Sequence, residues 1–177
     1  MYSAFQKHDV ETAPEKSKPL LRQFLEHSGP NGFYAVTAKS PETLTAYATL
    51  HKAFMASGFT DKEKTVIWQS INVENQCRFC VPTHTYMAKA IKIDKAVSNA
   101  LRNETALSTA GLEALRDFTL LLLRNHGHAS DVEISKFLSA GFTHQNMLEV
   151  VMGLAQKTIS NHVNHLARMP LDKKYEH

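Results

Sequence analysis

An all-α fold is what this sequence predicts, and three observations predict it. Apolar residues recur at spacings of three and four along most of the chain, the period of a helix with one buried face. Serine or threonine stands ahead of two of these runs with glutamate three residues later, the signature of a capped helix start. No hairpin dipeptide separates two alternating apolar runs, so strands are not expected. Short loops and frequent caps point to one bundle of about seven or eight helices. A length of 177 residues suits one domain, and 43% hydrophobic content is enough to give it a core.

Residues 1–17 are polar with little periodicity and read as an N-terminal arm, which leaves 18–177 as the helical domain. A short helix is predicted from about Lys18 to His27 and is stopped by "SGPNG". Ser40 before Pro41 and Glu42 reads as an N-cap with proline at the first helical position. Leu44, Tyr47, His51 and Phe54 follow at helical spacing, and Gly58 ends the run. Thr60 with Glu63, and Ser130 with Glu133, have the spacing of capping boxes. Thr143 opens the last long helix, whose predicted apolar stripe is Met147, Val150, Val151, Leu154 and Thr158. Between these helices, "DFTLLLLRN" is apolar around most of a helix circumference. A monomer's surface helix needs only one apolar stripe, so part of this one is expected under a neighbouring helix or subunit.

Charge and hydropathy exclude several classes of function. The net charge is +3 and no run of five or more basic residues occurs, so neither nucleic acid nor an anionic membrane is expected as a partner. The longest apolar stretch, "FTLLLL" at 118–123, is too short to span a bilayer. The first residues, "MYSAFQKHDVETAPEKSK", lack the apolar region of a secretory signal, so the cytoplasm is the expected location. In that compartment a paired CxxC is more often catalytic or metal-binding than a structural disulfide.

Both cysteines lie in "ENQCRFCVPTH". Proline is tolerated in a first helical turn but not in an interior, so a helix through "THTYMAKAIKI" starts close to Pro82. Cys80 then stands at or just before that first turn, where unpaired N–H groups and the helix dipole favour a thiolate. His84 is four residues on, on the same helical face, placed to act as base. Cys77, three residues upstream, can resolve an oxidised Cys80 by closing a disulfide, and Glu74 can orient His84 or relay protons. The candidate catalytic set is therefore Cys80, Cys77, His84 and Glu74.

Plainer readings stand beside this one. The two cysteines can simply be small buried residues. A zinc site needs a fourth ligand beyond Cys77, Cys80 and His84, from Glu74, His51, His162 or His165, and no second CxxC or HxxxH pair exists to supply it. No cofactor and no metal are expected. Glu74 can be a solvated carboxylate, and Glu63 reads as a cap. His162 and His165, one turn apart in "SNHVNHLA", read as core or subunit-contact histidines before they read as part of a thiol pocket.

The segment "FTDKEKTVIWQSINVENQCRFCVPTHTYMAKA" resembles the core signature of the carboxymuconolactone decarboxylase / alkylhydroperoxidase D (AhpD)-like family, in its peroxidase-related CxxC branch. "LEVVMGLAQKTISNHVNHLARMPLD" resembles that branch's C-terminal helix, so the resemblance spans roughly residues 40 to 172. It implies an AhpD-like helical bundle assembled as a homo-oligomer, a trimer or hexamer. It also implies peroxiredoxin-type reduction of hydroperoxides by the CxxC pair, with electrons returned by a dithiol donor such as a lipoylated protein. Two positions depart from the founding alkylhydroperoxidase. Its relay glutamate falls on Thr65 here, and its histidine before the second cysteine falls on Phe79. The alternatives are a decarboxylase-type enzyme, which does not depend on a CxxC, and a non-redox helical protein with structural cysteines.

Overall fold

A computed structural model describes residues 5–176, so the first four residues of the predicted arm and the last residue of the predicted domain lie outside the described residues. Among the described residues the chain forms nine α-helices and no strand. They are α1 (Lys18–Ser28), α2 (Gly32–Thr37), α3 (Pro41–Met55), α4 (Asp61–Glu74), α5 (Cys80–Ala90), α6 (Lys95–Arg102), α7 (Ala110–Arg124), α8 (Asp131–Ser139) and α9 (His144–Leu166).

The predicted caps form as expected, because they need only side chains within one turn of each helix start. The hydroxyls of Ser40, Thr60, Ser130 and Thr143 each accept the N–H three residues on, and Glu63, Glu133 and Asn146 close capping boxes. One helix was not expected. The "SGPNG" stop is followed at once by α2, whose first free N–H groups are capped by the Asn31 side chain. Gly32 opens α2 under the C-terminal segment, where an added Cβ would stand 2.8 Å from Met169 Sδ.

The fold is organised around α4, whose residues Lys64 to Asn72 are all buried. A helix buried all round belongs at the centre of a bundle. Here α4 packs against α5, α6, α7 and α9. Its Val66, Ile67 and Ile71 join Phe54, Leu115, Phe137 and Val150 in the main apolar core. At the α7–α8 end this core is stacked rings, Phe118 on Phe137 at 4.2 Å and Phe137 on Phe142 at 4.7 Å. The wide apolar girth of α7 is covered inside the chain by α4, α8 and α9.

One expectation gains detail and another needs correction. The described part of the predicted arm lies against the helices. The His8 N–H donates to Ala35 O at 2.8 Å, the Ser17 hydroxyl donates to Ala38 O at 2.6 Å, and Ala13 is buried with Leu21, Ala38 and Leu44. Docking through backbone carbonyls leaves no apolar period to read. The stripe expected on α9 is rotated. Val151 and Thr158 are exposed, and the buried face runs through Val150, Gly153, Lys157, Asn161 and Asn164. Gly153 sets this orientation, since a Cβ there would stand 2.9 Å from Phe54 and 3.0 Å from Ile67. Among the described residues no helix is long and apolar enough to cross a membrane.

Candidate active site

The turn between α4 and α5 brings the cysteines to the base of α9. Gln76 adopts a left-handed conformation (φ 50°), and the Cys77 N–H returns to Asn72 O at 3.0 Å. Cys80 is the first residue of α5 and Pro82 the third, as the proline position predicts. The Cys80 N–H donates to Cys77 Sγ at 3.2 Å, and both residues are buried free cysteines.

Two amides from α9 converge on the Cys80 sulfur. Asn161 Nδ2 lies 3.1 Å and Asn164 Nδ2 3.2 Å from it. Asn161 is held in turn, donating to Asn72 Oδ1 at 2.9 Å and accepting from Asn75 Nδ2 at 2.9 Å. Asn164 Oδ1 is buried with no hydrogen-bond partner among the described residues, which leaves an acceptor beside the thiol. Burial opposes ionisation of Cys80. The Cys77 hydrogen bond, the charge of Lys157 and the two asparagine amides outweigh it and bring the thiol down to about 6. The bond to Cys80, then burial, then the charge of Cys80 push Cys77 up, so the pair divides into one thiolate and one thiol.

Lys157 is the residue that sequence reasoning missed. It is 1% exposed, and its Nζ donates to His84 Nε2 at 2.9 Å. Among the described residues no carboxylate pairs with it. Burial lowers its pKa while the charges of Cys80 and Cys77 resist that shift, so the thiolate is its counter-ion. His84 is pushed well below the usual histidine range by burial, then by Lys157 and His51, and is therefore neutral. A pattern in the last helix carried the signal: Lys157, Asn161 and Asn164 share one face at spacings of four and three.

Cys80, His84 and Lys157 line a cavity of about 560 Å³, and Thr65 is in its wall. Thr65, where the resemblance puts a relay glutamate, spends its hydroxyl on Asp61 O at 2.8 Å. Of the four predicted residues, Cys80 and His84 line the cavity and Cys77 is buried behind Cys80. Glu74 is not brought to them. Its carboxylate is held by Arg124 Nε at 2.7 Å and Nη2 at 2.6 Å, outside the cavity. That guanidinium keeps its pKa low. His162 and His165 are exposed on the outer side of α9 and line no part of it. His51 is in the cavity wall, hydrogen-bonded to Gln156 Nε2 at 3.0 Å. Among the described residues no three His, Cys, Asp or Glu side chains gather as a metal site.

No protein-family model matches the chain, and no curated protein does. Solved structures do share its fold. A peroxidase-related protein with an alkylhydroperoxidase AhpD core from Ralstonia eutropha JMP134 superposes with a TM-score of 0.86 at 18% identity, over 99% of this chain and 95% of that one. A peroxidase-related protein from Silicibacter sp. TM1040 gives 0.81 at 18% identity with the same coverage. A cysteine-to-alanine form of the debrominase Bmp8, in complex with 2,3,4-tribromopyrrole, gives 0.81 at 15% identity over 99% and 95% of the two chains.

Proposed function

We propose that this AhpD-like chain is a thiol-dependent peroxidase that reduces hydroperoxides through a Cys77–Cys80 dithiol/disulfide cycle, an activity of the peroxiredoxin type. One observation carries the reading: Cys80 is stabilised as a thiolate by Lys157, Asn161 and Asn164 at a cavity wall, with a protonated cysteine three residues before it.

Cys80 Sγ attacks the terminal peroxide oxygen, so an S–O bond forms and the O–O bond breaks. The alkoxide leaves as an alcohol with a proton from the Lys157 ammonium, passed directly or by way of His84. Cys80 is then a sulfenic acid. Cys77 attacks Cys80 Sγ and expels hydroxide, and the Cys77 proton travels through Lys157 to release it as water. The disulfide is reduced by a dithiol, such as a lipoylated protein, whose two hydrogens restore the Cys77 thiol and the Lys157 ammonium. Lys157 with His84 thus takes the relay role first given to Glu74.

The debrominase likeness favours a second reading in which the same dithiol reduces a carbon–bromine bond. Sulfur attacks bromine, and the bond's electron pair returns to the ring carbon and is protonated from Lys157. Cys77 displaces bromide from sulfur as its proton passes to Lys157, leaving a Cys77–Cys80 disulfide for the dithiol donor to reduce. The two readings share Cys80, Cys77 and Lys157 and differ in the leaving group.

A homo-oligomer, trimer or hexamer, belongs to the same proposal, as does a cytoplasmic location. The exposed outer face of α9, with Leu148 72% and Leu166 71% exposed, supports the assembly. Light scattering on purified protein reads it directly, and a monodisperse monomer rejects it. The activity is tested by counting thiols and weighing the chain before and after one equivalent of hydroperoxide. The expected result is loss of both thiols with a mass decrease of two hydrogens, reversed by a dithiol. Unchanged thiols reject the peroxidase reading, and bromide release from a bromopyrrole without peroxide turnover selects the second.

A further inference from the structure

The cavity beside Cys80 is far larger than hydrogen peroxide requires. Cavities of roughly 300–1,000 Å³ hold organic ligands of drug-like size, and this one measures about 560 Å³. Its wall is made of rings in register. Tyr47 and His51 stack at 6.1 Å and 8°, His51 and Trp68 at 5.8 Å and 14°, and His84 meets Trp68 edge-on at 5.2 Å. Hydrogen bonds fix this ladder, since Gln156 accepts from Trp68 Nε1 at 2.8 Å and its amide nitrogen meets His51 Nδ1 at 3.0 Å. Phe79 and Tyr86 meet Tyr175 edge-on elsewhere in the lining, at 6.2 Å and 5.4 Å. Ring faces held in fixed planes select a flat partner by offset stacking or edge contact.

No Asp or Glu among the described residues lines the cavity. Lys157 is balanced there by the Cys80 thiolate, and Lys174, with the ring nitrogens of His27 beside it in the lining, has no anion of the lining to balance it. Lys157 is buried at the thiol, while His27 is exposed and Lys174 partly exposed, so these two mark the open side. Lys174 Nζ is anchored there, donating to Ser28 O at 2.9 Å and lying 4.9 Å from the centre of the Tyr175 ring. An ammonium has three donors, so this anchored cation can also receive an anion.

We propose that the cavity takes an aromatic carboxylate, its ring against the Tyr47–His51–Trp68 wall and its carboxylate toward Lys174 and His27. Its reducible group then meets Cys80, a last clause that rests on the thiol chemistry proposed above. A small peroxide leaves the ring wall uncovered. An organic cation meets Lys174 at the open side, where no carboxylate of the lining balances it.

Binding tests the ligand class without any turnover. The reduced full-length protein is titrated by calorimetry with 2-naphthoate, cyclohexanecarboxylate and 2-naphthylmethylamine, and iodoacetamide labelling of Cys80 reports occupancy of the cavity. The expected order has 2-naphthoate about tenfold or more tighter than either other probe, about 1.4 kcal/mol per tenfold, with Cys80 labelling slowed in proportion to occupancy. Lys174→Gln with His27→Asn, two residues on the open side, should weaken 2-naphthoate while leaving neutral 2-naphthylmethanol bound as before. Equal affinity for the three probes overturns the proposal, and so does binding that leaves Cys80 labelling unchanged. Turnover of small hydroperoxides with no 2-naphthoate binding overturns the ligand class and leaves the thiol chemistry standing. Binding and protection without turnover supports the ligand class and removes the peroxidase reading.

Discussion

Two buried regions meet on α4 and hold together in opposite ways. On the α7–α8 side, Phe118, Phe137 and Phe142 stack with Leu115 and Ile67 nearby, a region of apolar side chains. On the α5–α9 side, Gln69, Asn72, Gln156, Lys157, Asn161 and Asn164 are as deeply buried, yet all are polar. Apolar burial stabilises in proportion to the area removed from water. Polar burial breaks even only when each group finds a partner, and here the partners include other amides, an indole, a histidine and a thiolate, with Asn164 Oδ1 the exception. The first region supplies stability. The second stabilises the Cys80 thiolate against the cost of burial, through the Cys77 hydrogen bond, the Lys157 charge and two asparagine amides.

Substitutions on the two sides should therefore separate stability from reactivity. The largest expected effect is Cys80→Ser, which should reduce peroxide turnover to background, a loss on the order of 10⁴-fold or more, as for removal of a covalent nucleophile. Cys77→Ser should instead permit a single turnover and leave a sulfenic acid detectable by dimedone. If the thiol left in Cys80→Ser alkylates faster at neutral pH than the one left in Cys77→Ser, the two roles are reversed.

Phe137→Ala should act on the other side alone. Removing a large buried ring costs about 3–5 kcal/mol, or about 6–20 °C in Tm for a domain of this size. Alkylation of Cys80 per folded molecule should be unchanged, and a changed rate would show that the two regions are not separable.

Lys157→Met should leave helicity intact and slow turnover about 10²-fold, the usual scale for lost proton transfer. The sign of its pH effect is fixed. In the native protein Cys80 alkylation should rise as pH passes through about 6. Without the lysine cation the anion is less favoured, so that midpoint should move up toward the ordinary thiol range. His84→Ala should slow turnover by a similar factor. The double variant should be little worse than either single one, because the two side chains act as one unit. A midpoint that stays put in Lys157→Met would assign the low thiol pKa to the asparagines and the helix start.

The smallest effect is expected at Glu74→Gln. Its partner Arg124 is exposed, so loss of the pair should cost about 0.5 kcal/mol or less and leave turnover unchanged. A large loss of turnover would restore Glu74 to the relay.

The sequence by itself determined what depends on near neighbours along the chain. The all-α class, the caps at Ser40, Thr60, Ser130 and Thr143, and the start of α5 at Cys80 follow from helical period, side-chain capping and the geometry of proline. These forces act within a turn or two and need no distant partner. Tertiary structure decided where each helical face points. Gly153 seats α9 against Phe54 and Ile67, and that rotation buries Lys157, Asn161 and Asn164 while leaving His162 and His165 in water. No spacing along the chain ties Lys157 to a thiol 77 positions away in sequence, and a lysine is the residue least expected in a core. Glu74 shows the converse. It stands three residues from Cys77, yet the left-handed turn at Gln76 separates their surroundings and Arg124 holds the carboxylate outside the cavity. Proximity in sequence was available to both readings; which polar groups share a low-dielectric pocket is set only when the helices pack.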